Sequence, residues 1–135
     1  MYSGQCLCGA VKIAIHGAFR DIIHCHCSLC RKSSGTAYAT NGFVSSAVFS
    51  VIQGEQLLKA FSLKQGRQRH FCSNCGSPVY SSSAADPGRI RIRLGILDSA
   101  ITERPISHNF VSSKASWDNL DADLPRYDSH EPGRS

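Results

Sequence analysis

Hydrophobic and polar positions along this chain alternate in short stretches, with the two-residue period of strands rather than the 3.6-residue period of helices. Val11–Ile15 sets Val11, Ile13 and Ile15 against Lys12 and Ala14, and ends at His16-Gly17. Ile22–Cys27 is apolar before it turns polar, while Tyr38–Val44 and Val48–Ile52 are rich in aromatic and β-branched residues, with Gly42 and Gly54 as punctuation. Arg67–Phe71 and Pro78–Ser81 read as strands either side of a cysteine pair, and His108–Val111 as a late strand. The cleanest alternation is Arg89-Ile-Arg-Ile-Arg-Leu94, with three arginines on one face and Ile90, Ile92 and Leu94 on the other. No helical periodicity is sustained over ten residues, and Ser116–Leu120 offers one turn. The pattern predicts a mainly β domain over residues 1–120, followed by a polar extended tail, 121–135, that carries two prolines.

Composition narrows this picture. The chain has 135 residues, 41% of them apolar, which suits one globular domain with an ordinary core. The net charge of +5 is uneven: residues 1–104 are basic and residues 105–135 are acidic, so the body is suited to an anionic ligand. The longest uncharged run, Ser33–Gly54, contains Asn41, Gln53 and several Ser, Thr and Gly residues and is not a membrane span. Lys12 interrupts the one N-terminal stretch resembling a signal peptide, so a cytoplasmic protein is expected. Aromatic residues make up 8% and no basic-aromatic motif or helix-turn-helix is present, which argues against a nucleic-acid partner.

The seven cysteines carry the chemistry. They fall as Cys6-x-Cys8, Cys25-x-Cys27-x-x-Cys30 and Cys72-x-x-Cys75. An odd number of thiols in tight pairs argues for metal rather than disulfides, and soft thiolates select zinc. Cys6, Cys8, Cys72 and Cys75 make a closed structural tetrahedron, leaving Cys25, Cys27 and Cys30 with a fourth position for water or substrate. Spacing equally permits a two-knuckle site from Cys27, Cys30, Cys72 and Cys75. It also permits closure of the three-cysteine site by His24 or His26, although an extended backbone points both histidines away from the cysteines. The stripe Arg89/Arg91/Arg93 reads first as a solvated strand face and second as an anion-binding surface. Trp117 reads as packed against a sheet edge, and His70 first as an ordinary strand residue and second as a hydrogen-bonding support for a ligand near Cys72.

Gly4-Gln-Cys-Leu-Cys-Gly9, Cys25-His-Cys-Ser-Leu-Cys-Arg-Lys32 and Phe71-Cys-Ser-Asn-Cys-Gly76 together resemble the glutathione-dependent formaldehyde-activating enzyme family, whose relatives include a centromere-associated protein. Arg93–Asp98 and His108–Tyr127, around Trp117 and Pro125, are similar to its C-terminal half. The resemblance implies a zinc-bearing β-tent of small antiparallel sheets. It favours Cys6, Cys8, Cys72 and Cys75 as structural ligands and Cys25, Cys27 and Cys30 as the active site. It also implies a carbon–sulfur lyase-type reaction joining glutathione, or another thiol, to formaldehyde. Arg31 and Lys32, adjacent to the cluster, are the expected cationic contacts for the thiol. A zinc-stapled binding module without catalysis is the alternative, and an exposed sheet edge would suit a homodimer.

Overall fold

A computed structural model describes residues 1–134. Two sheets share the chain's strands. The smaller has the order β1 (Tyr2–Gln5), β2 (Lys12–Ile15), β5 (Phe49–Gln53), all antiparallel. The larger runs β10 (Ser107–Asn109), β3 (Ile22–Cys25), β4 (Ala39–Ser45), β9 (Arg89–Arg93), β8 (Pro78–Ser83), β7 (Arg67–Cys72), β6 (Leu58–Phe61). It is antiparallel except for β10, which pairs parallel to β3. The mainly β expectation holds, with seven strands in the larger sheet.

Alternation decides what each strand buries. Ile13 and Ile15 from β2, Ile22 from β3, Val44 from β4, Val79 from β8 and Ile92 from β9 are fully buried in one core between the sheets. Each such side chain contributes about 1.5–3 kcal/mol of hydrophobic stabilisation. The opposite face of the larger sheet carries the residues one position out of phase. Register aligns Ile23 with Asn41 and Asn41 with Arg93; one row over, it aligns Phe43 with Arg91, Arg91 with Ser81 and Ser81 with Arg69. This second face bears the arginines.

Three elements are absent from the sequence-based reading. β1 has no hydrophobic alternation; it is fixed by backbone packing, since a Cβ at Gly4 would lie 2.7 Å from the Ile96 carbonyl oxygen. β6 is an edge strand with exposed residues. The α-helix α1 (Ser28–Ser34) is only seven residues long, too short for periodicity to register. It is stabilised locally, by the Cys27 sulfur accepting from the Cys30 amide and by Ser33 and Ser34 hydroxyls donating to the Cys30 carbonyl. Conversely, Ser116–Leu120 forms no helix, and the late strand is Ser107–Asn109 rather than His108–Val111. Residues 121–134 contain no strand or helix. Near the N-terminus, Glu103 ties the small sheet to the following loop: it accepts from the Tyr2 hydroxyl at 2.6 Å and the Phe19 amide at 2.8 Å.

Candidate functional site

The seven thiols converge as two separate clusters. Cys6, Cys8, Cys72 and Cys75 have sulfurs within 4.8 Å of one another, as do Cys25, Cys27 and Cys30. The two-knuckle pairing of Cys27 and Cys30 with Cys72 and Cys75 is therefore not formed.

The four-cysteine cluster is built from two backbone turns. The Cys6 amide donates to the Val11 carbonyl, and the Val11 amide donates to the Cys6 sulfur at 3.3 Å. On the other turn the Gly76 amide donates to the Cys72 carbonyl at 2.8 Å, with Gly76 at φ +79, a left-handed conformation that glycine adopts without steric cost. The Leu7 amide donates to the Ser77 hydroxyl at 2.9 Å, joining the turns directly. Hydrogen bonding from Ser77 is the main cause that brings the Cys75 thiol down to about 5. That shift favours the ligating thiolate. Sulfur separations of 3.6 Å (Cys6 to Cys8) and 3.9 Å (Cys8 to Cys72) bracket the edge of about 3.8 Å expected for a tetrahedron with metal–sulfur bonds of about 2.3 Å. The geometry and the donor set both fit zinc.

The three-cysteine cluster lies at the junction of β3 and α1. The Cys25 and Cys27 sulfurs are 3.4 Å apart, and Asn41, buried on β4, directs its side-chain amide at the Cys30 sulfur from 4.0 Å. Burial pushes the Cys25 thiol up to about 12. For Cys27 burial acts upward too, but the amide of Cys30 and the neighbouring thiols lower it further, so it lies below the ordinary thiol value. His24 and His26 do not join the cysteines. His26 is fully buried and its Nε2 lies 2.9 Å from His108 Nδ1 on β10; His24 Nδ1 lies 2.8 Å from the Thr40 hydroxyl. Both imidazoles pack against Tyr38 and His108, which leaves the three-cysteine cluster without a histidine ligand.

All three cysteines open onto a cavity of about 590 Å³. Its lining has two chemistries. Arg67, Arg69, Arg91 and Arg93, with Lys64 from the turn before β7, supply five cations, whereas Leu29, Phe43, Phe61, Leu63 and Phe110 supply apolar surface. Among the described residues none of these arginines has a carboxylate within ion-pair distance. Arg93 is only 7% exposed, donates from Nη2 to the Ser33 hydroxyl at 2.9 Å, and leaves Nη1 buried without a partner. Arg69 donates to the same hydroxyl at 3.2 Å. Burial lowers Arg93, partly offset by the adjacent Cys30; Arg91 is lowered by burial and then by repulsion from Arg89 and Arg67.

This corrects the reading of the arginine stripe. Arg89 is the solvated member, paired with Asp86 at 3.0 Å, while Arg91 and Arg93 face the cavity. Arg31 and Lys32, the cations adjacent in sequence, are not among the cavity-lining residues. Trp117 is 73% exposed rather than packed against a sheet edge. His70 stacks on Tyr80 at 4.1 Å and bonds Ser82, not a cysteine. Asn41, Arg67 and Arg69 were missed because nothing in their local sequence marks them; only strand register brings them to the cysteines.

Fold and site together define a small mainly β protein with a closed four-thiol cluster and a three-thiol cluster at the wall of a cationic cavity. The chain belongs to the family described as "Glutathione-dependent formaldehyde-activating enzyme", which it matches over residues 1–113. It is 26% identical over 130 residues to a protein of Halomonas elongata named "Putative glutathione-dependent formaldehyde-activating enzyme", covering 90% of this chain and 82% of that one. A crystal structure of a Rhodobacter sphaeroides protein has the same fold, with a TM-score of 0.64 and 22% identity, covering 78% of this chain and 98% of that one.

Proposed function

We propose that the protein is a zinc-dependent carbon–sulfur lyase-type enzyme that adds an anionic thiol to an aldehyde, or releases the aldehyde in reverse. Family membership points to glutathione and formaldehyde, giving S-hydroxymethylglutathione. The observation that carries the reading is the placement of three thiols, without a histidine, in the wall of a cavity lined by four arginines that lack carboxylate partners.

Cys25, Cys27 and Cys30 would hold one zinc and Cys6, Cys8, Cys72 and Cys75 a second, structural one. When bound at the three-cysteine site, zinc keeps a coordinated thiol sulfur deprotonated at neutral pH. The chain's own residues do the rest. Asn41 orients the Cys30 sulfur; Arg67, Arg69 and Arg91 receive the carboxylates of the thiol; Ser33 fixes the Arg93 guanidinium. Arg93 Nη1, a buried donor without an acceptor, is available to the carbonyl oxygen as it gains charge. In the forward direction a C–S bond forms, the carbonyl π bond breaks, and the resulting alkoxide takes a proton from water, balancing the one the thiol released on ionising. No electrons are transferred to or from the protein.

The test is NMR of formaldehyde with glutathione, comparing the wild type with Cys27→Ser. Acceleration of adduct formation above the spontaneous reaction, lost in the variant, is expected. Equal rates for both proteins would remove the site from the chemistry.

A further inference from the structure

Formaldehyde has one carbon and glutathione is a polar peptide, so neither accounts for the apolar side of this cavity. Phe61 at the end of β6, Leu63 in the β6–β7 turn and Phe110 after β10 all line it, and they are 56%, 62% and 64% exposed. Large side chains left this open around one cavity mark a surface that a ligand covers. Phe110 adds a second, independent sign. It has φ +59, the one positive φ of a non-glycine residue among those described, a left-handed backbone that is strained for a bulky residue. This strained turn presents an exposed aromatic ring at the cavity that the cysteines share.

We propose that the cavity is built for S-conjugates of an anionic thiol whose carbon fragment carries an apolar group, so that the aldehyde partner is an alkyl or aryl aldehyde larger than formaldehyde. This rests on the reading of the three-cysteine site as a centre for thiol–aldehyde chemistry. The arginines take the carboxylates of the thiol, and Phe61, Leu63 and Phe110 cover the aldehyde substituent. The balance is that of the simple case: the ionised sulfur bonds the aldehyde carbon, the π bond opens, and the alkoxide takes a proton from water in place of the one the thiol released. The substituent takes no part and contributes binding only.

Isothermal titration calorimetry with S-methylglutathione and S-hexylglutathione tests this on the protein as purified. These thioethers carry the anionic groups but no free thiol, so the readout is binding and not turnover. S-Hexylglutathione is expected to bind at least tenfold more tightly, the gain from burying about two methylenes. The double variant Phe61→Ala/Leu63→Ala, altered only at exposed side chains, is expected to bring the ratio close to one, and Arg91→Gln to weaken both ligands by the same factor. Equal affinities in the wild type, a preference that survives in the double variant, or no binding of either thioether would overturn the proposal. The formaldehyde assay with Cys27→Ser judges the underlying reaction separately, so failure of one is distinguishable from failure of the other.

Discussion

Arg93 Nη2 donates to the Ser33 hydroxyl at 2.9 Å, and that hydroxyl in turn donates to the Cys30 carbonyl. A buried cation from the middle of the larger sheet is thereby locked to the helical turn that carries Cys30 of the three-cysteine cluster. Arg93→Ala should therefore slow adduct formation roughly a hundredfold, about 2.7 kcal/mol of barrier, because the buried donor to the developing oxyanion is lost. The Kd for glutathione, whose carboxylates are held by Arg67, Arg69 and Arg91, should change far less. Measuring both the rate and the Kd for wild type and variant separates loss of the donor from loss of the site.

The four-cysteine cluster joins segments more than sixty residues apart, Cys6-x-Cys8 and Cys72-x-x-Cys75. Cys72→Ser should cost several kcal/mol, comparable to the whole stability of a small domain, since metal binding and folding are coupled at such sites. Thermal unfolding together with zinc analysis checks this. A variant with unchanged melting temperature and zinc content would remove the structural assignment.

The two clusters should differ in lability. Cys25, Cys27 and Cys30 lie within six residues of one another and open onto a cavity, whereas the other four bridge distant turns. During mild chelation the three-cysteine site should empty first, followed by metal analysis and thiol titration over time. Release of both ions in one phase would contradict it.

Much of this architecture was legible because its signals are local. Alternation in Arg89–Arg93 marks a strand wherever it sits, and C-x-C and C-x-x-C spacing marks thiols that can converge. The division into four and three was not fixed by spacing, and depended on a turn-to-turn contact such as that of Leu7 with Ser77. What stayed hidden is non-local. Arg91 and Arg93 look solvated in sequence, but β9 lies between β4 and β8, so its polar face meets Asn41 and Phe43 on one side and Ser81 on the other. Arg31 and Lys32 are neighbours of Cys30 in sequence, yet the cavity takes its cations from β7, β9 and the turn before β7. Helix α1, seven residues held by serine and cysteine side chains, carries no hydrophobic period to read.

Glu103 should confer acid-sensitive stability. Hydrogen bonds from the Tyr2 hydroxyl and then the Phe19 amide hold its carboxyl down at about 2. A carboxyl lowered on folding stabilises the protein above its ordinary value near 4.5, and that contribution is lost as pH falls from there through about 2. Glu103→Gln should thus be less stable by about 1 kcal/mol at pH 7, after allowance for solvent screening. Urea unfolding of both proteins at pH 7 and pH 3 should show the gap narrowing in acid. A gap that is constant with pH would show that the carboxylate charge is not responsible.

The central claim is a three-thiolate zinc centre with one exchangeable position. Zinc-edge X-ray absorption of the purified protein, with and without glutathione, measures it most directly. The average first shell should hold between three and four sulfurs per zinc, with the remainder light atoms, and should rise to four sulfurs when glutathione is added. An average of four sulfurs from the outset, or a shell that glutathione leaves unchanged, would contradict the account.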